Sequence, residues 1–199
     1  MKLIQCITLI LFSFSLTMYS QNEIPSKTWQ LETAVLGLEE QYREKAKVYG
    51  YDADGNFIVL REGTNQYVCL ADDPKNDHFQ VAAYHKDLDE FMARGRELKA
   101  QGKNFKEIFD IREEEVKNST LNLPYHSTLI VLKGDINEET KRIENQKVRY
   151  VVYIPFATSE TTGLPDKPLT AGHPWIMNPG THRAHIMITP TYPETEKTE

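Results

Sequence analysis

Three of the six histidines of this 199-residue chain fall within thirteen positions, at His173, His182 and His185. Neutral imidazoles are good ligands for zinc or copper, so a loop gathering all three would make a metal site. A carboxylate from Asp72, Asp73 or Asp77 would complete a centre suited to hydrolysis or redox chemistry. The spacing opposes this. His182 and His185 are separated by an odd number of residues, so an extended chain points them to opposite faces. They converge only if Gly180 and Thr181 form a turn that still includes His182. The plainer assignment has His185 capping a core strand while His173 and His182 sit in solvent.

Other residues allow weaker chemical readings. Cys69 becomes a nucleophile only if an imidazole such as His78, His85 or His126, or a helix N-terminus, lowers its pKa; without that it is a small buried apolar side chain. Asp72, Asp73 and Asp77 beside His78 offer oxygen ligands and acid–base groups, yet match no calcium-loop pattern and read as a polar inter-strand loop. Arg94 and Arg96 flank Gly95, and Arg61 precedes the Gly63 turn. Guanidinium groups bind carboxylate or phosphate, although helical arginines among glutamates usually form surface ion pairs. Asn118-Ser119-Thr120 fits the glycosylation acceptor pattern.

The elements that position these residues follow from periodicity. Ser26 or Thr28 starts a helix, and Leu31, Ala34, Val35, Leu38 and Tyr42 give it one apolar stripe over about 15 residues. A hairpin turns at Asp54-Gly55-Asn56, with Phe57 to Leu60 as its second arm. Gln66 to Leu70 and Phe79 to Tyr84 are further strands, and Gly63 and Asn65 supply a turn that tolerates positive φ. The middle is helical. Leu88, Phe91, Met92, Gly95 and Leu98 share a face closed by Gly102, and Asn104 with Glu107 starts a second helix whose apolar side is Phe105, Ile108, Phe109 and Val116. The charged run from Arg112 to Lys117 reads as solvated. Strands return at Ser127 to Leu132 and Lys147 to Phe156, with a short helix capped by Asp135 and Glu138 between them. Thr158 to Gly172 is irregular, and Pro174 to Met177 and Ala184 to Thr189 are two last strands. Runs of strands around grouped helices predict an α+β fold, one mixed or antiparallel sheet packed by about three helices.

The first residues read as an address. Lys2 followed by an apolar run from Leu3 to Met18, with Ser20 as the small residue before a cut, has the plan of a cleaved secretory signal peptide over 1–21. Export to the periplasm or outside the cell follows, with one domain over 22–191 and a disordered tail over 192–199. No membrane insertion is expected after cleavage. Loss of Cys6 with the leader leaves Cys69 without a disulfide partner. With 23 Lys and Arg against 29 Asp and Glu, a formal net charge of −6, and basic clusters interleaved with Glu, nucleic acid is a poor partner and none is expected.

Leu60-Arg61-Glu62-Gly63-Thr64-Asn65-Gln66-Tyr67-Val68-Cys69 and Pro174-Trp175-Ile176-Met177-Asn178-Pro179-Gly180-Thr181-His182-Arg183-Ala184-His185-Ile186-Met187 resemble two blocks of uncharacterised exported bacterial proteins. Ala83-Tyr84-His85 to Leu98 is similar to a third. The resemblance implies one domain and no established reaction, ligand or cofactor. It implies that Thr64, Asn65, Gly180, Thr181 and His185 belong to recurring turns that border one cleft. Members often carry a second cysteine where this chain reads Val81-Ala82-Ala83-Tyr84. The leading expectation is a non-catalytic domain binding a small molecule or an envelope protein through Arg61, Thr64, Asn65, Trp175, Thr181 and His185. The alternatives are the metal enzyme built on His173, His182 and His185, and an envelope scaffold subunit.

Overall fold

Ser26 begins the first helix as its residue type predicts, its Oγ accepting the Trp29 N–H at 3.2 Å. This computed structural model describes residues 23–191; the leader expected over 1–21 and the tail expected over 192–199 lie outside the described residues. Helix α1 covers Lys27–Thr33 and is followed by turns and a single helical turn, α2 (Glu40–Arg43), in place of one long helix. Packing explains the break. A continuous helix would swing Leu36 off the apolar stripe, whereas the turns let Ala34, Val35 and Leu38 enter one cluster and Leu36 another.

Strands β1 (Lys47–Tyr51) and β2 (Phe57–Arg61) form the expected hairpin. Its turn is tied by Asp52, whose carboxylate accepts the N–H groups of Asp54 and Asn56 at 3.0 and 2.9 Å. Gln30 on α1 clamps the end of β1: its amide nitrogen donates to Tyr51 O at 2.9 Å while its amide oxygen accepts the Tyr51 N–H at 2.7 Å. Next come β3 (Tyr67–Leu70), β4 (Phe79–His85), α3 (Asp89–Ala100) and α4 (Phe105–Lys117). Asn104 and Glu107 make the reciprocal capping box that the sequence signals. The chain then returns as β5 (Thr128–Ile136) and β6 (Ile143–Tyr153). Between these two strands Asn137 holds a turn, accepting the N–H groups of Glu139 and Thr140 at 3.0 and 2.9 Å, where a short helix was expected. One-turn helix α5 (Ser159–Thr162) and strands β7 (Trp175–Met177) and β8 (His185–Ile188) complete the chain.

The eight strands make a single sheet in the order β2-β1-β3-β4-β5-β6-β8-β7. The β1–β3 pair is parallel and every other pair antiparallel, so the fold is α+β around one mixed sheet. Alternation divides the side chains. Val48, Cys69 and Ala83 face α1 and the turns after it, while Val68, Tyr84, Val151, Tyr153 and Met187 face the α3 side with Leu88 and Phe91. Leu88 and Phe91 are fully buried, and burying side chains of that size stabilises by about 1.5–3 kcal/mol each. Arg94 fastens α3 to α4 with a two-pronged pair to Glu115, Nε at 3.0 Å and Nη2 at 2.6 Å. One charged residue departs from expectation. Arg112, read as part of a solvated run, is only 7% exposed. No helix among the described residues is long and apolar enough to cross a membrane.

Candidate functional site

The two sequence blocks expected to border one cleft do not meet. Strands β4, β5 and β6 stand between β3, which follows the Gly63 turn, and β8, which follows His182. At about 4.8 Å per strand this is roughly 19 Å of sheet. Each block instead holds its own turn. Arg61 Nε donates to Ala46 O at 3.0 Å, Thr64 N donates to Lys45 O at 2.8 Å, and Asn65 donates through Nδ2 to Tyr42 O at 2.8 Å while accepting the Tyr67 N–H. Neither Gly63 nor Asn65 has the positive φ expected of it. Gly63 is required by close approach: a Cβ there would lie 2.8 Å from Lys47 Cα. At the other block, Thr181 Oγ1 donates to Asn178 O at 2.8 Å and accepts the Arg183 N–H at 3.2 Å.

The three histidines also part company. His173 is exposed and its Nδ1 contacts Pro174 O at 2.7 Å. His185 is buried with Nδ1 2.6 Å from Arg183 O, the backbone capping role. His182, placed in solvent by the plainer reading, is fully buried against α4 instead. Among the described residues no three His, Cys, Asp or Glu side chains are grouped to hold a metal ion, so the zinc or copper centre has no ligand set. The carboxylates assigned to it serve their own loop. Asp72 accepts the Gln80 N–H at 2.9 Å and Asp73 accepts the Lys75 N–H at 3.0 Å. Burial pushes the Cys69 thiol up to about 12, far from a nucleophilic thiolate.

Around His182 lies a buried polar knot. Its Nδ1 is 3.2 Å from Glu113 Oε2, and its ring meets Phe109 edge-on at 4.7 Å. Arg112 lies over the Phe91 ring at 4.1 Å and donates to Phe91 O at 3.2 Å. Burial holds the imidazole down at about 4 against the pull of Glu113, and the Arg112 and Arg183 charges push the same way as burial. Arg112 itself is lowered to about 10 by burial and then by Arg183. Arg112 Nε, His182 Nε2 and Arg183 Nε are buried without a protein partner. This knot pins the turn before β8 to α4 and keeps these three nitrogens from solvent.

The concave surface with chemistry lies on the other side of α3. A cavity of about 580 Å³ opens between the C-terminal half of α3 and the sheet, with Tyr51, Phe57, Gln80, Arg96 and Lys99 among its walls. The hairpin contributes the rings, because Tyr51 and Phe57 flank its turn and pack edge-on at 5.4 Å. Helix α3 contributes the cations, because Arg96 and Lys99 are three residues apart on one face. Arg96 lies 5.4 Å from the Phe57 ring centre and is anchored behind by Tyr84 Oη and Asp89 Oδ1, both at 3.2 Å. Burial opposes its charge, and Tyr84 and Asp89 outweigh burial and keep its pKa raised. The Tyr51 hydroxyl is held protonated by burial and then by the neighbouring Asp73 carboxylate. Lys75 also lines the cavity. A second concavity of about 440 Å³ lies beside Trp175, with His173 the one titratable side chain on its walls. Two further concavities are charged but mainly acidic: one of about 650 Å³ beside Trp29 with Glu23, Asp72, Glu138 and Lys141, and one of about 470 Å³ between α3 and α4 with Glu90, Arg94, Glu97 and Glu115. Of these four, the α3 cavity is the one whose cations outnumber its acids, which suits it to orient an anionic ligand.

Of Tyr51, Phe57, Gln80, Arg96 and Lys99, the sequence singles out only Arg96, whose guanidinium suits a carboxylate or phosphate. The available signal is the i, i+3 pair Arg96 and Lys99, which flanks the α3 face that buries Phe91 and Leu98. The chain matches no protein-family model, and comparison with curated proteins and with solved structures finds no significant relative.

Proposed function

We propose that this chain is an exported, non-catalytic binding domain that takes up a small organic anion with a planar or apolar body in the cavity beneath α3. Export rests on the leader-like Met1 to Gln21, and binding on the cavity. The observation that carries the reading is the meeting of aromatic rings, Tyr51 and Phe57, with cationic side chains, Lys75, Arg96 and Lys99, on the walls of one 580 Å³ concavity. The volume suits a small-molecule site. Rings supply apolar contact area, and a guanidinium or ammonium fixes an anionic group by a charge-assisted hydrogen bond. Asp73 is the single acidic side chain among the lining residues, so the walls are net cationic in a chain of net charge −6.

Thermal-shift and calorimetric titration with benzoate, phenylacetate, glucuronate and adenosine monophosphate tests the reading. A ligand at a hundred times its Kd adds about 2.7 kcal/mol, which raises Tm by about 5–10 °C for a chain of this size. Lys75→Gln with Lys99→Gln is expected to weaken that response without unfolding the protein, because both side chains are exposed. Stabilisation that survives this double variant unchanged contradicts the reading.

A further inference from the structure

Strands β5 and β6 carry a group of cations that no stretch of sequence reveals. Lys133 pairs directly with Lys147, and Val131 pairs with Arg149. Their strand neighbours Leu132 and Val148 pack with Leu36 on the α1 side, and Val151 and Tyr153, two and four residues beyond Arg149, lie under α3 and α4. Alternation therefore puts Lys133, Lys147 and Arg149 on the helix side of the sheet, beyond the part that the helices cover. All three are exposed, and none forms an ion pair among the described residues. Asp135 and Glu144, the next pair toward the hairpin tip, are held by Asn145 and Asn137 at 2.8 Å each and end the basic area.

Like charges directly opposite each other across two strands are destabilising, and a chain with an acidic excess has no general need of them. Lys147 and Arg149 are about 6.8 Å apart along the strand, and Lys133 lies about 5 Å from Lys147 across it. This is a compact row of fixed positive charge. The sheet positions beside it are Gln80, Ala82 and Val131, all half-buried. No aromatic side chain stands at these strand positions, and the Tyr51 and Phe57 rings of the adjoining cavity are half-buried, so the row itself lacks the exposed apolar anchor of a protein interface and the stacking platform of a single-strand nucleic-acid site. Charge complementarity with a hydrophilic chain remains. We propose that Lys133, Lys147 and Arg149 form a docking surface for a linear anionic polysaccharide bearing carboxylate or sulfate groups. This surface adjoins the α3 cavity through Gln80 and Ala82, but Lys133, Lys147 and Arg149 are not among the cavity's walls, and docking here does not require a ligand there.

The test measures retention of the mature chain on immobilised heparin and polygalacturonate, with uncharged dextran and single-stranded oligothymidylate as comparators. Wild-type protein is expected to bind both acidic polysaccharides, to release them as salt rises, and to ignore dextran. The triple variant Lys133→Gln, Lys147→Gln, Arg149→Gln is expected to lose at least tenfold in affinity. The equal-charge control Lys27→Gln, Lys45→Gln, Lys106→Gln is expected to stay within about twofold of wild type. All six side chains are exposed, and thermal melts verify that both variants fold. Absence of retention on either polysaccharide, an equal loss in the control, or tighter binding to oligothymidylate overturns the proposal; the last result reassigns the surface to nucleic acid.

Discussion

His182 Nδ1 lies 3.2 Å from Glu113 Oε2, joining the turn before β8 to the middle of α4 across 69 residues of chain. Glu113 is ion-paired on its other side with Lys117 Nζ at 2.7 Å. Because the carboxylate can only accept, the imidazole donates through Nδ1–H, and the neutral ring is the form the surroundings favour. The pair links protonation to stability.

The first prediction concerns pH. Burial holds the folded His182 at about 4 against an ordinary value of 6.5. As pH falls below 6.5 the unfolded chain takes up a proton that the folded chain refuses, so stability is lost between about pH 6.5 and 4. The loss from this group is on the order of 3 kcal/mol. His185, also lowered by burial, adds in the same direction. Urea unfolding across this range is expected to show the decline, and His182→Gln to flatten it. An unchanged pH slope in the variant refutes the assignment.

The second concerns the clamp on β1. Gln30→Ala removes both hydrogen bonds to the Tyr51 backbone and the one to Pro25 O. A cost of about 2–3 kcal/mol is expected, because the Tyr51 groups lose their partner. By comparison Asn104→Ala, which opens the capping box of α4, costs about 1 kcal/mol. Denaturant midpoints measure both, and Gln30→Ala is expected to rank as the more damaging.

The third separates two kinds of glycine. Gly63→Ala drives a methyl into the Lys47 backbone, which is expected to cost about 2–3 kcal/mol or more. Gly102 has φ +80° and open space around it, so Gly102→Ala costs only the left-handed strain of about 1–2 kcal/mol. Equal Tm losses for the two variants contradict this ranking.

The fourth concerns metals. Since His173, His182 and His185 are bonded to separate partners, EDTA is expected to leave Tm unchanged, and added zinc is expected to give no stabilisation. A shift of several degrees with either reagent contradicts the separation.

Local signals in the sequence were legible wherever one residue settles one turn. Ser26, Asn104 with Glu107, Gly102 and the Asp54-Gly55-Asn56 turn all have the expected roles. The stripe from Leu31 to Tyr42 misled because apolar spacing alone does not distinguish a long helix from turns laid flat on a sheet. In the run from Arg112 to Lys117 charge does not imply solvent, because Arg112 is buried over the Phe91 ring. The candidate site was least legible. Tyr51 and Phe57 come from the hairpin, Gln80 from β4 and Arg96 and Lys99 from α3, and only strand order brings them together. Lys133 and Lys147 show the same limit, since they stand fourteen residues apart in sequence and adjacent in the sheet. The two blocks that looked like one cleft were kept apart by three intervening strands for the same reason.

Titration of isotope-labelled protein with a bound organic anion, followed residue by residue through amide chemical shifts, tests the binding site most directly. Shifts centred on Tyr51, Phe57, Gln80, Ala82 and Lys99 are the predicted result. Shifts centred instead on His173 and Trp175, or none with any aromatic or sugar anion at millimolar concentration, would contradict a ligand site beneath α3.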